Sequence, residues 1–355
     1  MKKIVVLTLA AHPMAQGGIQ TFVRRIKKFY KNNVILLTNK NKDEKIYLID
    51  DVIEIGSLNI IFRIINRILK DRIRKYLVMQ ELKKINPEII ICNLPYELEM
   101  IKNFKCKKKI LVQHFNFEKF ISDISRMQKL KEELSNYVVL SPYDKEKFQK
   151  GFDVSEEKMK VIRHTCEMEL LQTKKEKNRK LIMLARLDNK QKRFDLAIKA
   201  MKKLSEFSLD IYADRVGGEQ ELNMLKKITK ENKIDNVFFR GSTTEVQDKL
   251  DKAGIFIMTS DFEGYPITLI EAMRRGLPIV LRNTFDSAQD IVVDNGVLLE
   301  KEWNEDKFVE AVREVYDNYE YYSENSKKLG KRHSPEVIKE EWGKLFKEIE
   351  NGKRN

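Results

Sequence analysis

Short apolar runs alternate with stretches of helical period along most of the chain. The first run, residues 4–9, is followed by a turn containing Gly17 and Gly18 and then by Ile19, Phe22, Val23, Ile26 and Phe29, which share one helical face. Strand, glycine turn and amphipathic helix together open a Rossmann-like unit. The same alternation predicts further strands over residues 33–37, 89–92, 110–113 and 137–140, and in the second half over 180–185, 209–212, 237–240, 255–259 and 278–281. Uninterrupted apolar strands between helices imply parallel sheets covered on both faces, hence an α/β architecture. The polar run TKKEKNRK at residues 173–180 has no apolar period and marks a boundary between domains at 1–170 and 171–355. From residue 306 to about 351 the chain reads as helix throughout, with Phe308, Val309, Val312 and Val315 at helical spacing. Such a tail must bury its apolar stripe, and a return of these helices to the first domain is one way to do so.

A length of 355 residues agrees with two cores rather than one. Three widely separated cysteines, Cys92, Cys106 and Cys166, offer neither a disulfide framework nor metal-ligand spacing, so a reduced cytoplasmic chain is expected. The opening MKKIVVLTLAA resembles a secretory signal, but His12 and Pro13 end the apolar run and an amphipathic helix follows. No apolar run is long enough to cross a membrane. The formal charge of +14 is unevenly placed: residues 1–165 hold 33 Lys and Arg against 19 Asp and Glu, whereas residues 166–355 hold 35 of each. The N-terminal half is therefore expected to face an anionic partner.

The run SDFEGYPITLIEAMRRGLPIV, residues 260–280, is the most specific stretch. It follows a strand, turns at Gly264, and enters a helix behind Pro266, a residue suited to the first helical position. The N–H groups of Ile267 and Thr268 then lack intrahelical partners and can bind a phosphate oxygen. Glu263 precedes this anion cradle, Tyr265 lies within the turn, and Glu271 stands one turn into the helix, where a carboxylate can accept hydrogen bonds from sugar hydroxyls. In ARLDNKQKRFDLAIKAM, Arg186 ends a strand and Lys192 precedes a helix, a placement suited to a diphosphate and to the charge that grows on a leaving group. Gly17 and Gly18 permit close backbone approach to a ligand. His114 lies at a strand end in ILVQHFNF.

The Glu263-to-Glu271 run resembles the signature of family 4 of the retaining glycosyltransferases, bacterial surface-polysaccharide type. The Arg186 and Lys192 stretch, the glycine turn, His114 and VVLSPYDKEKF resemble that family's other motifs, and together the matches span nearly the whole chain. The resemblance implies two Rossmann-like domains facing each other across a cleft, the glycosyltransferase B fold. It implies a retaining transfer from a nucleotide sugar, a UDP-sugar in the first instance, to a hydroxyl of a glycan or lipid-linked acceptor. Glu271, with Gly264, Tyr265, Pro266, Ile267, Thr268, Gly17 and Gly18, would bind the donor; Glu263, His114, Arg186 and Lys192 would serve the transfer. There is no Asp-x-Asp, and the fold usually works with neither metal nor other cofactor. Three departures stand out: Arg163-His164-Thr165 replaces the usual Pro-Asn-Gly, ADRVGG replaces Gly-Asp-Gly, and DSAQDIVVDNG lacks Gly-Pro. The step from Arg186 to Lys192 is also one residue longer than usual, which leaves Lys190 as an alternative.

Two other classes share some of these features. A nucleotide-sugar epimerase can use the same fold, but the Glu pair argues against it. A non-catalytic polyanion binder would use the basic half, but no nucleic-acid-binding signature is present, and no nucleic-acid partner is expected. Residues 58–84 suggest a different anionic partner. Ile60, Ile61, Ile64, Ile65, Ile68 and Leu69 recur at helical spacing beside Arg63, Arg67, Lys70, Arg72, Arg74 and Lys75, the composition of a helix lying in lipid headgroups. The expectation is a cytoplasmic protein peripheral to the inner face of an anionic membrane.

Overall fold

The computed structural model describes residues 3–10, 12–13, 17–39, 51–56, 71–114, 117–214 and 218–351. The chain divides into two compact units, Met1–Thr165 with Lys339–Asn355, and Cys166–Ile338. Both are α/β, as the alternation of apolar runs and helical stretches predicts. The polar run at 173–180 lies inside the second unit.

In the first unit, strands β1 (Ile4–Thr8), β2 (Val34–Asn39), β3 (Val52–Ile55), β4 (Ile89–Cys92), β5 (Lys108–Val112), β6 (Asn136–Val139) and β7 (Met159–Val161) form one parallel sheet in the order β3-β2-β1-β4-β5-β6-β7. Every residue of β1, β4, β5 and β6 is buried, and each contains an apolar run, although β5 opens with the buried Lys108 and Lys109 and β6 with Asn136. Chain direction reverses its progress across the sheet beside β1, where Ile4 aligns with Val34 on one side and Ile89 on the other. The carboxyl ends of strands at such a switch form the ligand-binding crevice of open α/β sheets.

The end of the C-terminal helix Pro335–Asn351 completes this unit. Trp342 is buried, with its ring 5.7 Å from Phe22 and 5.6 Å from Phe346, and Phe346 lies 5.2 Å from Tyr30. The Tyr30 hydroxyl donates to the Lys339 carbonyl at 2.9 Å, and Lys108 Nζ to the Leu345 carbonyl at 3.0 Å.

The second unit repeats the arrangement with β8 (Lys180–Arg186), β9 (Ser208–Asp214), β10 (Val237–Gly241), β11 (Ile255–Met258), β12 (Ile279–Arg282) and β13 (Gly296–Leu299), in the order β10-β9-β8-β11-β12-β13. Its switch point lies between β8 and β11. All ten strands expected from the apolar pattern are present. The pattern missed β3, β7 and β13, which lie at sheet edges. The supposed continuous C-terminal helix is three helices, Glu305–Asp317, Tyr319–Lys331 and Pro335–Asn351, separated at Asn318 and before Pro335. Pro335 has no N–H to extend the preceding helix. Pro266 caps its helix rather than opening it, with φ −65° and ψ 119°.

Truncation of Trp342 to Ala is expected to cost about 3–5 kcal/mol, the usual range for a buried aromatic. Urea unfolding of the full chain, followed by near-ultraviolet circular dichroism, checks this. A loss below ~1 kcal/mol would mean that the helix adds little to the first unit.

Candidate active site

In the second unit, Arg186 emerges exposed at the end of β8. A four-residue helical turn, Asn189–Lys192, follows, with its start capped by the Asp188 carboxylate, which accepts from the Gln191 N–H. Arg193 then adopts a left-handed conformation (φ 52°), and the helix Phe194–Ala200 begins. A non-glycine residue there is disfavoured unless its surroundings hold it. Thr259 supplies part of the hold: its hydroxyl donates to the carbonyls of Lys192 and Arg193 at 3.1 and 2.9 Å. Arg193 also pairs with Asp195 and Asp261, both at 3.1 Å.

This geometry turns Lys192 inward. Its Nζ lies 2.5 Å from Glu263 Oε1, with both side chains about nine-tenths buried. Gln191 completes the link: its Nε2 donates to the Phe262 carbonyl at 2.9 Å and to Glu263 Oε2 at 3.4 Å, while its Oε1 accepts from Arg186 Nη2 at 3.3 Å. The Asp261 N–H donates to the Gln191 carbonyl at 2.8 Å. Arg186, Gln191, Lys192 and Glu263 are thus brought together at the carboxyl ends of β8 and β11. Arg186 and Lys190 line an open cavity of about 960 Å³ with Asp188, Arg193, Glu221 and Asp261. Lys192 does not line it. The two lysines left open by the spacing therefore differ in setting, one at the cavity wall and one bound to Glu263.

The loop that carries Glu263 is pinned from below. Ser287 Oγ donates to the Gly264 carbonyl at 2.5 Å, and the buried Tyr265 hydroxyl donates to Asp290 at 2.9 Å. Both partners come from the segment that lacks Gly-Pro, so this departure still holds the loop. Tyr265 turns its hydroxyl into the protein. The helix Ile267–Arg274 begins just after the loop, with Ile267, Thr268 and Glu271 half-buried. In the ADRVGG departure, Ala213 and Asp214 end β9 and Gly218 opens the next helix at φ 78°, while residues 215–217 fall outside the described residues.

In the first unit, Gly17 (φ 147°) caps the helix Gly18–Tyr30, and a Cβ at Gly17 would lie 2.4 Å from Gln20 Oε1. At Gly18 a Cβ would meet nothing within 4 Å, so that position faces open space. His114 follows β5 and is buried, its ring 5.0 Å from Phe22 and 5.8 Å from His164, a member of the Arg163-His164-Thr165 departure. Its Nε2 lies 2.8 Å from Asn93 Oδ1. Asn93 ends the apolar run of β4 and donates through Nδ2 to the Leu7 carbonyl at 2.6 Å. Glu97, fully buried, accepts from the N–H groups of Leu9 and Asn93 at 2.7 Å each. Burial pushes the Glu97 carboxyl up to about 7 against these stabilising N–H groups, and burial holds the His114 imidazole down to about 3.

Residues 171–332 match the family model described as "Glycosyl transferases group 1". The second unit belongs to the group 1 glycosyl transferases. The family resemblance carried by the Glu263–Glu271 run is borne out. The chain is 28% identical over 173 residues to a poly(glycerol-phosphate) alpha-glucosyltransferase of Bacillus subtilis, covering 46% of this chain and 25% of that protein. It is 29% identical over 165 residues to a poly(ribitol-phosphate) alpha-N-acetylglucosaminyltransferase of Staphylococcus aureus, covering 44% and 33%. The chain thus spans a quarter to a third of the length of these two relatives. S. aureus TarM, solved with UDP and alpha-GlcNAc-glycerol, superposes with a TM-score of 0.75 over 98% of this chain and all of that one, at 16% identity. That likeness concerns the fold alone, and the fold is glycosyltransferase B, as expected.

Sequence reasoning missed two residues that organise these sites. Gln191 lies within the six-residue step from Arg186 to Lys192, and the lengthened spacing was the one sign that this stretch differs. Asn93 was visible as a polar residue immediately after the apolar β4 run, at the switch point. Among the described residues, no group of His, Cys, Asp and Glu could hold a metal ion.

A pH dependence follows from His114. Its folded pKa lies below the ordinary 6.5, so its contribution to stability is present above pH 6.5 and is lost as pH falls towards 3, because the unfolded chain takes up the proton first. His114→Gln is therefore expected to lose less stability than the native protein between pH 7 and 4.5. Parallel urea titrations at the two values check it, and equal losses would place a charged imidazole in the folded state.

Proposed function

We propose that the protein is a retaining glycosyltransferase that moves a sugar from a UDP-sugar to a hydroxyl of a surface-glycan acceptor. The observation that carries this reading is the joining of Arg186, Gln191, Lys192 and Glu263 at the switch point of a group 1 glycosyl transferase unit. Transfer breaks the bond between the anomeric carbon and the diphosphate oxygen and forms one to the acceptor oxygen, so negative charge grows on the departing UDP. Arg186 and Lys190, which line the cavity, would balance that charge in this reading together with the first amides of the helix Ile267–Arg274, with no metal called for. Glu271 takes the ribose hydroxyls and Glu263 the sugar. Lys192 keeps the buried Glu263 charge compensated. The printed names of two relatives specify polyol-phosphate polymers as acceptors, and an acceptor of that kind would suit the excess of 33 basic over 19 acidic residues in positions 1–165.

An anionic membrane is a second partner under this reading, because surface glycans are assembled beside one. The basic apolar stretch proposed for it, residues 58–70 with Ile60, Arg63, Arg67 and Lys70, lies outside the described residues. The described continuation is the helix Arg72–Ile85, which buries Val78, Leu82 and Ile85 and leaves Tyr76 exposed. Among the described residues, no helix is long and apolar enough to cross a membrane.

The first test is calorimetric titration with UDP, together with UDP release from UDP-glucose and UDP-N-acetylglucosamine in the presence of a polyol-phosphate acceptor. Glu271→Ala should weaken UDP binding by about 1.5–3 kcal/mol, the cost of a lost charged hydrogen bond, while the protein stays folded. Arg186→Ala should lower kcat more than it weakens UDP binding, because the charge it meets is largest in the transition state. Native UDP affinity in Glu271→Ala would remove that residue from the site. For the membrane reading, co-sedimentation with anionic liposomes at low salt should fall when Arg63, Arg67, Lys70 and Arg74 are changed to Gln. No binding by the native protein would end that reading.

A further inference from the structure

Arg186 is exposed at the wall of the cavity in the second unit, and its surroundings leave its charge uncancelled. Four carboxylates line the same cavity, those of Asp188, Asp195, Glu221 and Asp261. Each is engaged elsewhere. Asp188 accepts from the Gln191 N–H at 3.2 Å, Glu221 accepts from the Asn189 N–H, and Asp195 pairs with Arg193. Asp261 pairs with Arg193 at 3.1 Å and with Arg282 at 2.7 Å. Among the described residues, the one side-chain partner of Arg186 is uncharged: the Gln191 amide oxygen, 3.3 Å from Nη2. The direction of that amide follows from its other contacts. Its nitrogen donates to the Phe262 carbonyl at 2.9 Å and lies 3.4 Å from Glu263 Oε2. A carbonyl and a carboxylate accept, so the nitrogen must face them and the oxygen must face the guanidinium. The backbone of Gln191 is fixed as well, by Asp188 at its N–H and by the Asp261 N–H at its carbonyl, 2.8 Å away. Gln191 is thus a short strut between the loop that carries Glu263 and the arginine. It does not line the cavity, so a ligand there feels it by way of Arg186.

We infer that Gln191 is a positioning residue that holds Arg186 ready for the donor diphosphate through a neutral oxygen, so that the guanidinium is set in place with its charge intact. A carboxylate at position 191 would hold the guanidinium more tightly and cancel its charge in doing so. An apolar side chain there would leave the arginine free to turn among its rotamers. A long side chain ordered before the ligand arrives loses less freedom on binding, and the loss avoided amounts to about two- to tenfold for one such side chain. The diphosphate as ligand rests on the glycosyltransferase reading; the strut rests on geometry alone.

The test is a double-mutant cycle on the full chain, read as UDP release from UDP-glucose or UDP-N-acetylglucosamine with a polyol-phosphate acceptor, and separately as calorimetric affinity for UDP. Gln191→Met, similar in length but without the polar groups, should lower kcat by about two- to tenfold and change KM less. In the Arg186→Ala background the same substitution should have no further effect, because its route to the ligand is gone. A merely structural role for Gln191 gives the same loss in both backgrounds; equal losses overturn the assignment, as does a Gln191→Met protein with native kcat. Gln191→Glu should fall below Gln191→Met, since its carboxylate neutralises the arginine, and a Gln191→Glu protein more active than Gln191→Met overturns the role of the neutral oxygen. If Gln191→Met does not fold, Gln191→Asn, one methylene shorter than the native side chain, takes its place in the cycle. Nitrogen-15 NMR of the arginine side chains without ligand, assigned with Arg186→Ala, tests the strut by itself. An Arg186 guanidinium ordered in the native protein and mobile in Gln191→Met is expected, and equal mobility in the two overturns it. If UDP binds and is released while the cycle is additive, the donor reading stands and Gln191 loses its role. If the native protein neither binds nor releases UDP, the donor reading fails and the diphosphate role of Arg186 and Gln191 fails with it.

Discussion

A parallel sheet buried on both faces can present polar chemistry only where its strands end. Inside, the backbone groups are taken up by the ladder and the side chains are mostly apolar, as throughout β4 and β11 and in all but the last residue of β1 and β12. In both units the first strand stands inside the sheet with its successors to either side, so neighbouring strand ends diverge beside it. The groups named in the two sites lie at those ends: Leu9, Asn93 and His114 after β1, β4 and β5, and Arg186 and the run from Thr259 to Glu263 at β8 and β11. There Asn93 is held by the Leu7 carbonyl and Thr259 by the carbonyls of Lys192 and Arg193, while His114, Arg186 and Glu263 are held by neighbouring side chains.

This constraint also explains what could be read from the sequence. A central strand covered on both faces carries a run of consecutive apolar residues, so β1, β4, β5, β8 and β11 announce themselves by the runs IVVL, III, ILV, LIMLA and IFIM. The three missed strands are edges with partial cover. β3 has one buried residue in four, β7 spans three residues, and β13 has none fully buried. β3 (VIEI) and β13 (GVLL) are mostly apolar but only four residues long, and β7 (MKV) three, so neither length nor burial sets them apart from apolar positions in loops. The tail was misread for a related reason. Helical period runs through Glu305–Asp317 and onward, but period does not register the breaks at Asn318 and Pro335.

The candidate site was legible as a set of residue types and poorly legible as a set of partners. The Glu263–Glu271 run marked its loop and helix, because a glycine turn, a capping proline and an amphipathic helix are local features. Which way Lys192 points is not local. It depends on the left-handed Arg193, which ends a four-residue turn and is held by Thr259 from the neighbouring strand end. Spacing alone could not separate Lys190, at the cavity wall, from Lys192, paired with Glu263.

That pairing bears on how the site can work. Two charges taken this far from water are stable only while each compensates the other, and breaking such a pair from one side commonly costs about 3–5 kcal/mol. Glu263 is therefore unsuited to sit as a bare carboxylate awaiting substrate. It is a charge already balanced by Lys192 on Oε1 and touched by Gln191 at Oε2. A ligand hydroxyl approaching Glu263 competes with a weak contact at 3.4 Å from Gln191, and the strong one from Lys192 can persist. Gln191, once displaced, still donates to the Phe262 carbonyl and accepts from Arg186. An uncharged amide between a cation and a carboxylate can thus yield one bond without unpairing either charge, which a second lysine or glutamate at position 191 could not do.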